Sequence, residues 1–292
     1  MSGKHFLKRR WCSVVISVGA GALSVLISFK ALALELNGNF IQGGLLTGQA
    51  SPVAQVYLGE RKLKLTVDGQ FVIGLGRDFP SELSLTTRTD DGKEESYLYP
   101  IMAREYKISR VEGIAKKIMQ PSAEDSARAS EDARQIRAAR GKISSRTDFL
   151  DAFQWPVTGR ISGVFGSQRV YNGVPGRPHY GVDVAMPTGT RVNAPVSGLV
   201  VFAQPDTFYS GGLVILDHGH GLSSSFLHMS KLWVTAGEEV DAGQRIGEIG
   251  ATGRASGPHL DWRMNWFDQK IDPQLLVPAM AEVLGNDKKV EK

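Results

Sequence analysis

Two short stretches of the sequence hold histidine and aspartate at spacings that suit metal binding or acid–base chemistry. "SGPHLDWRMNW" carries His259 and Asp261, two residues apart, and "RPHYGVDVAMP" carries His179 and Asp183, four apart. Side chains at positions i, i+2 and i+4 of a β-strand share one face. Each stretch therefore predicts a His and an Asp on the same face of a strand. For His259 and Asp261 alone, a metal site, an acid–base pair and a salt-bridged strand end are all open interpretations.

The histidines indicate which interpretation the whole chain favours. Beyond residue 33 there are five, all in the second half of the sequence: His179, His218, His220, His228 and His259. A single buried histidine is usually structural, but five in one region favour a metal site. Neutral imidazole and carboxylate suit Zn²⁺, which also serves hydrolases as a Lewis acid and an activator of water. Gly181, between the first His and Asp, would let another group approach closely.

The N-terminus has the anatomy of an export signal. A basic head, "KHFLKRRW", precedes an apolar run from Cys12 to Phe29, and "ALA" at 31–33 matches a small-x-small cleavage site. We therefore expect export to the periplasm or cell envelope. If the signal is not cleaved, it predicts a membrane anchor instead, since the apolar run approaches the about 20 residues that span a bilayer.

Removing residues 1–33 changes the function classes that composition allows. This segment holds five basic residues and no acidic one, so without it the formal net charge falls from +4 to −1. The basic balance of the whole chain is therefore no argument for nucleic-acid binding. The only cysteine, Cys12, also lies there, which excludes disulfides, cysteine–zinc sites and a cysteine nucleophile from the remainder.

The chain beyond the signal is predicted to be all-β apart from one helical linker. Short alternating or apolar runs punctuated by glycine predict strands, first in a small β-sandwich or barrel and then in a curved, hairpin-rich sheet. Between them, "PSAEDSARASEDARQIRAARGK" predicts an exposed helix, with Ser122 three residues before Asp125 as its start and Gly141 as its stop. The predicted divisions are an export signal (1–33), an accessory β-domain (34–106), a helical linker (107–152), a metal-binding β-domain (153–278) and a polar tail (279–292).

Residues 153–278 resemble, continuously and in order, the lysostaphin-type zinc endopeptidases of bacterial cell walls. "HYGVDVAMPTGTRVNAPVSGLV" is similar to the first metal motif of that family and the strand after it. "DHGHGLSSSFLHMS" is similar to its central strand pair, and "VDAGQRIGEIGATGRASGPHLDW" to its closing motif. The resemblance implies a glycine-rich, curved β-sheet of the duplicated-hybrid-motif type, preceded here by a small β-sandwich-like domain.

The resemblance also implies roles for individual residues. His179 and Asp183 fall on two zinc ligands, and His228 and His259 on two catalytic histidines that position water and stabilise the tetrahedral intermediate. The third ligand of the family is the second His of an H-x-H motif, where this sequence has Asp261. Zinc accepts a carboxylate oxygen at about 2.0–2.2 Å, so we expect Asp261 to complete the set. A His-Asp-Asp shell neutralises Zn²⁺ formally and predicts a less acidic bound water.

The function implied is zinc-dependent hydrolysis of peptide cross-links in peptidoglycan, with cell-division or cell-wall synthesis proteins as further partners. One alternative is a catalytically inactive member that binds the cell wall and activates amidases, a path that loss of one ligand would begin. Another is a sugar phosphocarrier with paired histidines, which the export signal opposes. We expect His218 and His220 to lie in a hydrogen-bonded turn, although a ligand pair is conceivable, and Arg263 to orient a carboxylate or form a surface salt bridge.

Overall fold

The computed structural model describes residues 34–52, 54–112 and 122–290. The predicted export signal, residues 1–33, lies outside the described residues. Within them, antiparallel β-sheets predominate, which confirms the predicted all-β class. No helix in the described part of the chain combines the length and apolar character needed to cross a membrane.

The accessory module, residues 34–106, consists of two small antiparallel sheets. Its strands are β1 (Glu35–Gly38), β2 (Leu45–Gln49), β3 (Gln55–Leu58), β4 (Arg61–Lys62), β5 (Gln70–Gly74), β6 (Glu82–Arg88) and β7 (Glu94–Pro100). One sheet has the order β1-β2-β5 and the other β4-β3-β6-β7. Alternate apolar residues of both sheets meet in one core, and several are wholly inaccessible to solvent: Leu46, Val56, Phe71, Ile73, Leu83 and Leu85.

The segment 107–152 contains more than the predicted helix. Strand β8 (Ile108–Val111) pairs in parallel with β10 (Gln168–Tyr171), so this segment also adds a strand to a sheet of the following region. Helix α1 (Ala123–Arg140) begins as predicted: the Ser122 hydroxyl accepts a hydrogen bond from the Asp125 backbone N–H at 3.0 Å. Gly141 caps its C-terminus. A 3₁₀ turn, Asp148–Leu150, follows.

Helix α1 is packed on the sheet that follows it. None of its side chains is fully buried, but Ile136 and Ala139 contact an apolar cluster of four buried residues: Phe202, Leu213, Ile215 and Leu227. Arg128 of the helix forms an ion pair with Asp206 at 2.7 Å. The helix is therefore attached to the sheet on one side rather than bridging two bodies through solvent.

The region 153–278 is built around one ten-stranded sheet. The sheet runs β17-β14-β15-β16-β19-β12-β9, with β13, β18 and β20 paired off this path. Its strands are β9 (Arg160–Gly163), β12 (Val182–Ala185), β13 (Arg191–Asn193), β14 (Gly198–Thr207), β15 (Gly211–Gly219), β16 (Leu222–Leu232), β17 (Glu239–Val240), β18 (Arg245–Ile249), β19 (Leu260–Trp266) and β20 (Gln269–Ile271). Strand β11 (Val174–Pro175) extends the small β8–β10 sheet, and a 3₁₀ turn, Pro273–Leu275, and helix α2 (Met280–Val290) follow β20.

The accessory module and the large sheet share one hydrophobic core. Gly74 of β5 lies so close to β19 that a Cβ atom there would sit 2.5 Å from the Trp266 Cβ. Only glycine allows the two strands to approach to this distance. Nearby, Arg104 of the module forms an ion pair at 2.8 Å with Asp272, whose side chain is 2% exposed. The accessory module is thus joined to the sheet by close packing and a largely buried charge pair.

Candidate metal centre and active site

Two neighbouring strands bring the aspartates of the two motifs together. Strands β12 and β19 pair antiparallel with Asp183 directly opposite Asp261. On both strands the flanking residues point the other way, into the core, and have no accessible surface: Val182, Val184, Leu260 and Trp262. The alternation of apolar and acidic residues therefore fixes both carboxylates on one face of the sheet.

His179 completes a cluster with these carboxylates. Its Nε2 lies 3.1 Å from the Asp183 Oδ1, and one ligand atom from each of His179, Asp183 and Asp261 lies within 4.8 Å of the others. The predicted strand does not extend to His179, however. This residue lies in a loop held by its backbone bonds to Ser167 and Gly166, and only from Val182 onward does the chain join the sheet.

The cluster fits a divalent metal. Among the described residues, the His179 Nε2 and the Asp183 Oδ1 are both buried and lie 3.1 Å apart, and neither atom makes a well-oriented hydrogen bond to any group. Buried polar atoms are normally satisfied, and an imidazole nitrogen beside carboxylate oxygens is a ligand set that zinc accepts. Burial lowers the pKa of His179, but the Asp183 and Asp261 carboxylates outweigh this and leave its pKa above the usual value. The site therefore attracts positive charge.

The sequence left open whether Asp261 belongs to a metal site or to a salt bridge, and in the structure it belongs to both. Its carboxylate accepts hydrogen bonds from the Arg263 Nε at 3.0 and 3.1 Å and from the Nη2 at 2.5 Å. Burial raises the pKa of Asp261, but the Arg263 guanidinium outweighs this effect and keeps the pKa below its usual value. The carboxylate is therefore ionised, and together with Arg263 it carries no net charge.

Gly181 is the residue that makes room for Asp261. A Cβ atom at this position would lie 2.4 Å from the Asp261 Oδ1 and 2.7 Å from the Arg263 Cγ. The sequence predicted such a close approach at this glycine, and the geometry confirms it. A side chain here would displace the carboxylate from the cluster.

We expect Gly181→Ala to lower the affinity for zinc by at least about tenfold, because changes that misplace a ligand typically cost 10- to 100-fold. The matched control is Gly285→Ala in α2, where an added Cβ would meet nothing within 4 Å. Titration of the metal-free proteins with zinc measures the effect. An unchanged affinity in Gly181→Ala would show that Asp261 does not contribute to binding.

A bulge in β16 places His228 at the site. Phe226 pairs with Val214 and Met229 with Gly212, so Leu227 and His228 together face a single residue of β15. His228 has φ +65°, a value uncommon outside glycine. Such a bulge turns a side chain away from the regular alternation of the strand. It directs the His228 ring to within 4.8 Å of the His259 ring, centroid to centroid.

In both rings Nδ1 is engaged by a main-chain carbonyl, which leaves Nε2 as the nitrogen available for chemistry. Nδ1 of His228 donates to the Thr252 carbonyl and Nδ1 of His259 to the Gly257 carbonyl, each at 2.8 Å. A carbonyl only accepts, so in the neutral rings the proton is on Nδ1 and Nε2 carries a lone pair. The His259 Nε2 lies 3.9 Å from the Asp183 Oδ1. Burial lowers the pKa of His228, which keeps its ring neutral and able to accept a proton.

Thr252 is a residue that the sequence prediction missed. Its hydroxyl donates to the Met229 carbonyl and accepts from the Gly212 N–H, both at 2.9 Å, which fixes the loop whose carbonyl orients His228. This contribution of Thr252 depends on main-chain atoms of β15 and β16, which are distant from it in the sequence. The only signal in the sequence is a small polar residue in the turn that follows "QRIGEIG".

His218 and His220 are structural. His218 lies at the end of β15, wholly buried, between the Ser197 carbonyl at 2.9 Å and the Ser224 hydroxyl at 2.7 Å. His220 lies in the turn that follows, with φ +49°, and packs on Phe149 at 4.7 Å between ring centroids. Neither belongs to the ligand cluster found in the described part of the chain. The alternative of a ligand pair finds no support there, and the expectation of a hydrogen-bonded turn holds in part, since His218 is in a strand.

Comparison with known proteins supports the resemblance seen in the sequence. Residues 177–273 match Peptidase family M23. The chain is 42% identical over 118 residues to the peptidoglycan DD-endopeptidase ShyA of Vibrio cholerae, which covers 39% of this chain and 27% of that protein. It is 33% identical over 112 residues to the DD-carboxypeptidase/endopeptidase Mpg of Neisseria meningitidis, covering 38% of this chain and 26% of that protein. The match thus spans about a quarter of these relatives.

A solved structure extends the similarity beyond the matched region. The crystal structure of a Pseudomonas aeruginosa protein assigned to peptidase M23 superposes with a TM-score of 0.64 at 27% identity. The superposition covers 81% of this chain and 94% of that one, so it includes a large part of the fold outside residues 177–273. With His179, Asp183 and Asp261 clustered on β12 and β19 and the loop before them, these similarities identify residues 177–273 as a domain of peptidase family M23.

Proposed function

We propose that this protein is an exported, zinc-dependent endopeptidase that hydrolyses peptide cross-links of bacterial peptidoglycan. The observation that carries the proposal is the convergence of a buried ligand cluster with two neighbouring histidines, of which His259 has its Nε2 3.9 Å from the Asp183 Oδ1. The substrate class is supported by the relatives, one of which is named as a peptidoglycan DD-endopeptidase and the other as a DD-carboxypeptidase/endopeptidase. Export to the periplasm or cell envelope follows from the N-terminal sequence.

The residues divide into ligands and proton carriers. His179, Asp183 and Asp261 would hold zinc, which when bound polarises a peptide carbonyl and lowers the pKa of water. The Nε2 of His228 or His259 accepts the proton that the attacking water loses. The protonated ring then donates a hydrogen bond from Nε2 to the developing oxyanion or a proton to the leaving amine. The hydrogen bonds from Nδ1 to main-chain carbonyls hold both rings in one orientation, with Nε2 available for this proton transfer.

The test separates metal binding from catalysis. We expect about one zinc per chain, the count for a single catalytic site. Replacing His228 or His259 by Ala should lower the release of peptides from purified peptidoglycan by at least about 100-fold, the usual contribution of a positioned acid or base. The zinc content should remain near that of the unchanged protein, because neither ring belongs to the ligand cluster. Elemental analysis and chromatography of the released peptides measure the two quantities.

Full hydrolysis by His228→Ala would contradict the role of that ring.

A second candidate function is a wall-binding protein that activates amidases or acts with cell-division or wall-synthesis proteins. It is favoured by one observation, the engagement of Asp261 by Arg263 at the position of a family ligand. A protein that binds peptidoglycan, stays metal-free in excess zinc and releases no peptide would support this second function instead.

A further inference from the structure

A cleft of about 390 Å³ opens between the accessory module and the β19–β20 hairpin. Arg77, Asp78 and Phe79 line it from the loop after β5, and Asp268, Gln269 and Lys270 from the hairpin. The Asp78 carboxylate is paired with Arg77 at 2.6 Å. Tyr180, which directly follows His179 in the chain, also lines the cleft. The volume is within the range of small-ligand sites, about 300–1,000 Å³. The cleft is therefore large enough for a short peptide segment close to the proposed metal centre.

Lys270 lies on the same face of the sheet as the acidic ligands. It pairs with Asn265 of β19, and directly opposed residues of an antiparallel pair point to the same side. Asp261, Arg263 and Asn265 alternate along that face of β19. Four residues of strand place Asn265 about 13 Å from Asp261. Among the residues that the structure describes, no hydrogen-bond acceptor or ion-pair partner is found for the Lys270 ammonium.

Positive groups outnumber negative ones around Lys270: Arg140, Arg177 and Arg263 act against its charge, and the Asp268 carboxylate acts in its favour. Arg140 reaches over from α1 and donates to the Ser225 hydroxyl at 2.6 Å, but its Nε is buried without an acceptor in the described part of the chain. The same holds for the buried Asn265 Nδ2. Arg263 contributes a further guanidinium, and one third of its side chain remains exposed. Burial, together with Arg140 and Arg263, lowers the pKa of Lys270 to about 8, with Asp268 acting in the opposite direction.

We propose that Lys270 binds a carboxylate of the substrate peptide in this cleft and thereby determines specificity. The inference rests on the proposed peptidase function and names one feature of its substrate. Lys270 pairs with Asn265, about 13 Å along the strand from Asp261, and its side chain spans part of that distance. The substrate carboxylate would therefore lie about two to four residues of extended peptide from the scissile bond. An arriving carboxylate would give the Lys270 ammonium the ion-pair partner that it lacks among the described residues, and would offset part of the positive charge of Arg140, Arg177 and Arg263.

Matched substrates test the proposal. The substrates are cross-linked wall peptides with either a free carboxylate or a carboxamide two to four residues from the cleaved bond. We expect the unchanged protein to favour the carboxylate form at least about tenfold in kcat/KM, as for loss of one charged hydrogen bond of about 1.5 kcal/mol. Lys270→Gln should remove this preference and retain cleavage of the carboxamide form. The control Lys93→Gln, at an exposed lysine 69% accessible on the β6–β7 hairpin, should keep the preference.

A binding measurement distinguishes failure of this inference from failure of the peptidase proposal. The full chain is stripped of metal, and its affinity is measured for labelled alanine–glycine peptides that carry one Glu or, in the matched peptide, one Gln. Tighter binding of the Glu peptide, lost in Lys270→Gln, would support the carboxylate site even if no peptide is cleaved. Equal binding of both peptides, or an unchanged preference in Lys270→Gln, would overturn it.

Discussion

The His179→Ala variant is expected to lose its zinc and its hydrolysis of peptidoglycan together. Without His179 the cluster keeps only two carboxylates, and one of them, Asp261, is shared with Arg263. Because loss of a residue that merely orients a ligand costs 10- to 100-fold in metal affinity, loss of the ligand itself should cost more than about 100-fold. Zinc titration of the metal-free protein and peptide release from peptidoglycan measure the two losses.

A second histidine of the same chain serves as the control for this variant. His220 lies in a turn outside the ligand cluster and has φ +49°, a conformation that Asn also adopts readily. His220→Asn should therefore keep both zinc and hydrolysis, and circular dichroism on both variants checks that they fold. Near-stoichiometric zinc in His179→Ala would mean that the metal binds elsewhere.

Asp261→His should not by itself produce a better metal site, although it introduces the ligand type that the family resemblance predicts. In the native protein Asp261 and Arg263 cancel each other's charge, so Asp183 alone leaves the cluster with a net charge of −1 when His179 is neutral. This equals the charge of a His-Asp-His set. The sequence alone predicts that the His-Asp-Asp ligand set neutralises Zn²⁺, but that prediction leaves out the positive charge of Arg263. With Arg263 counted, the net charge of the site is −1.

Replacing Asp261 by His leaves the guanidinium without its partner and close to the metal. Two unit charges about 6 Å apart interact by about 3 kcal/mol at an effective dielectric constant of about 20, and a divalent ion doubles the effect. We expect Asp261→His to bind zinc at least about tenfold more weakly than the double variant Asp261→His/Arg263→Gln. Zinc titrations of the two variants and of Arg263→Gln complete the comparison. Equal affinity in the single and double histidine variants would show that Arg263 does not act on the metal.

The site residues were largely accessible to sequence reasoning because short-range patterns position them. Alternation along β12 and β19 predicts where Asp183 and Asp261 point, and the structure places them opposite each other. The glycine at 181 likewise indicated a close approach in advance. His228 was found through resemblance alone, since its direction depends on a bulge and a positive φ that no local spacing shows.

Features that depend on distant parts of the chain escaped prediction. The parallel pairing of β8 with β10 joins residues about sixty positions apart, and nothing in "ISRV" indicates its partner. Helix α1 was expected to be a solvated spacer because its sequence has few large apolar residues, yet Ile136, Ala139 and the ion pair of Arg128 with Asp206 fix it on the sheet. The surroundings of Lys270 are assembled from α1, β16 and β19, so no single motif contains them.

The close contact between β5 and β19 means that the region carrying the ligand cluster is not an independent folding unit. A shortened protein beginning at residue 153 would uncover Trp266 and Ile271, now 3% and 0% exposed, and leave Asp272 without Arg104. Apolar patches of this kind favour aggregation. A protein shortened in this way should therefore be less soluble than the full chain. Exchanging the accessory module for that of another protein would require a glycine at the position of Gly74, because a side chain there would collide with Trp266.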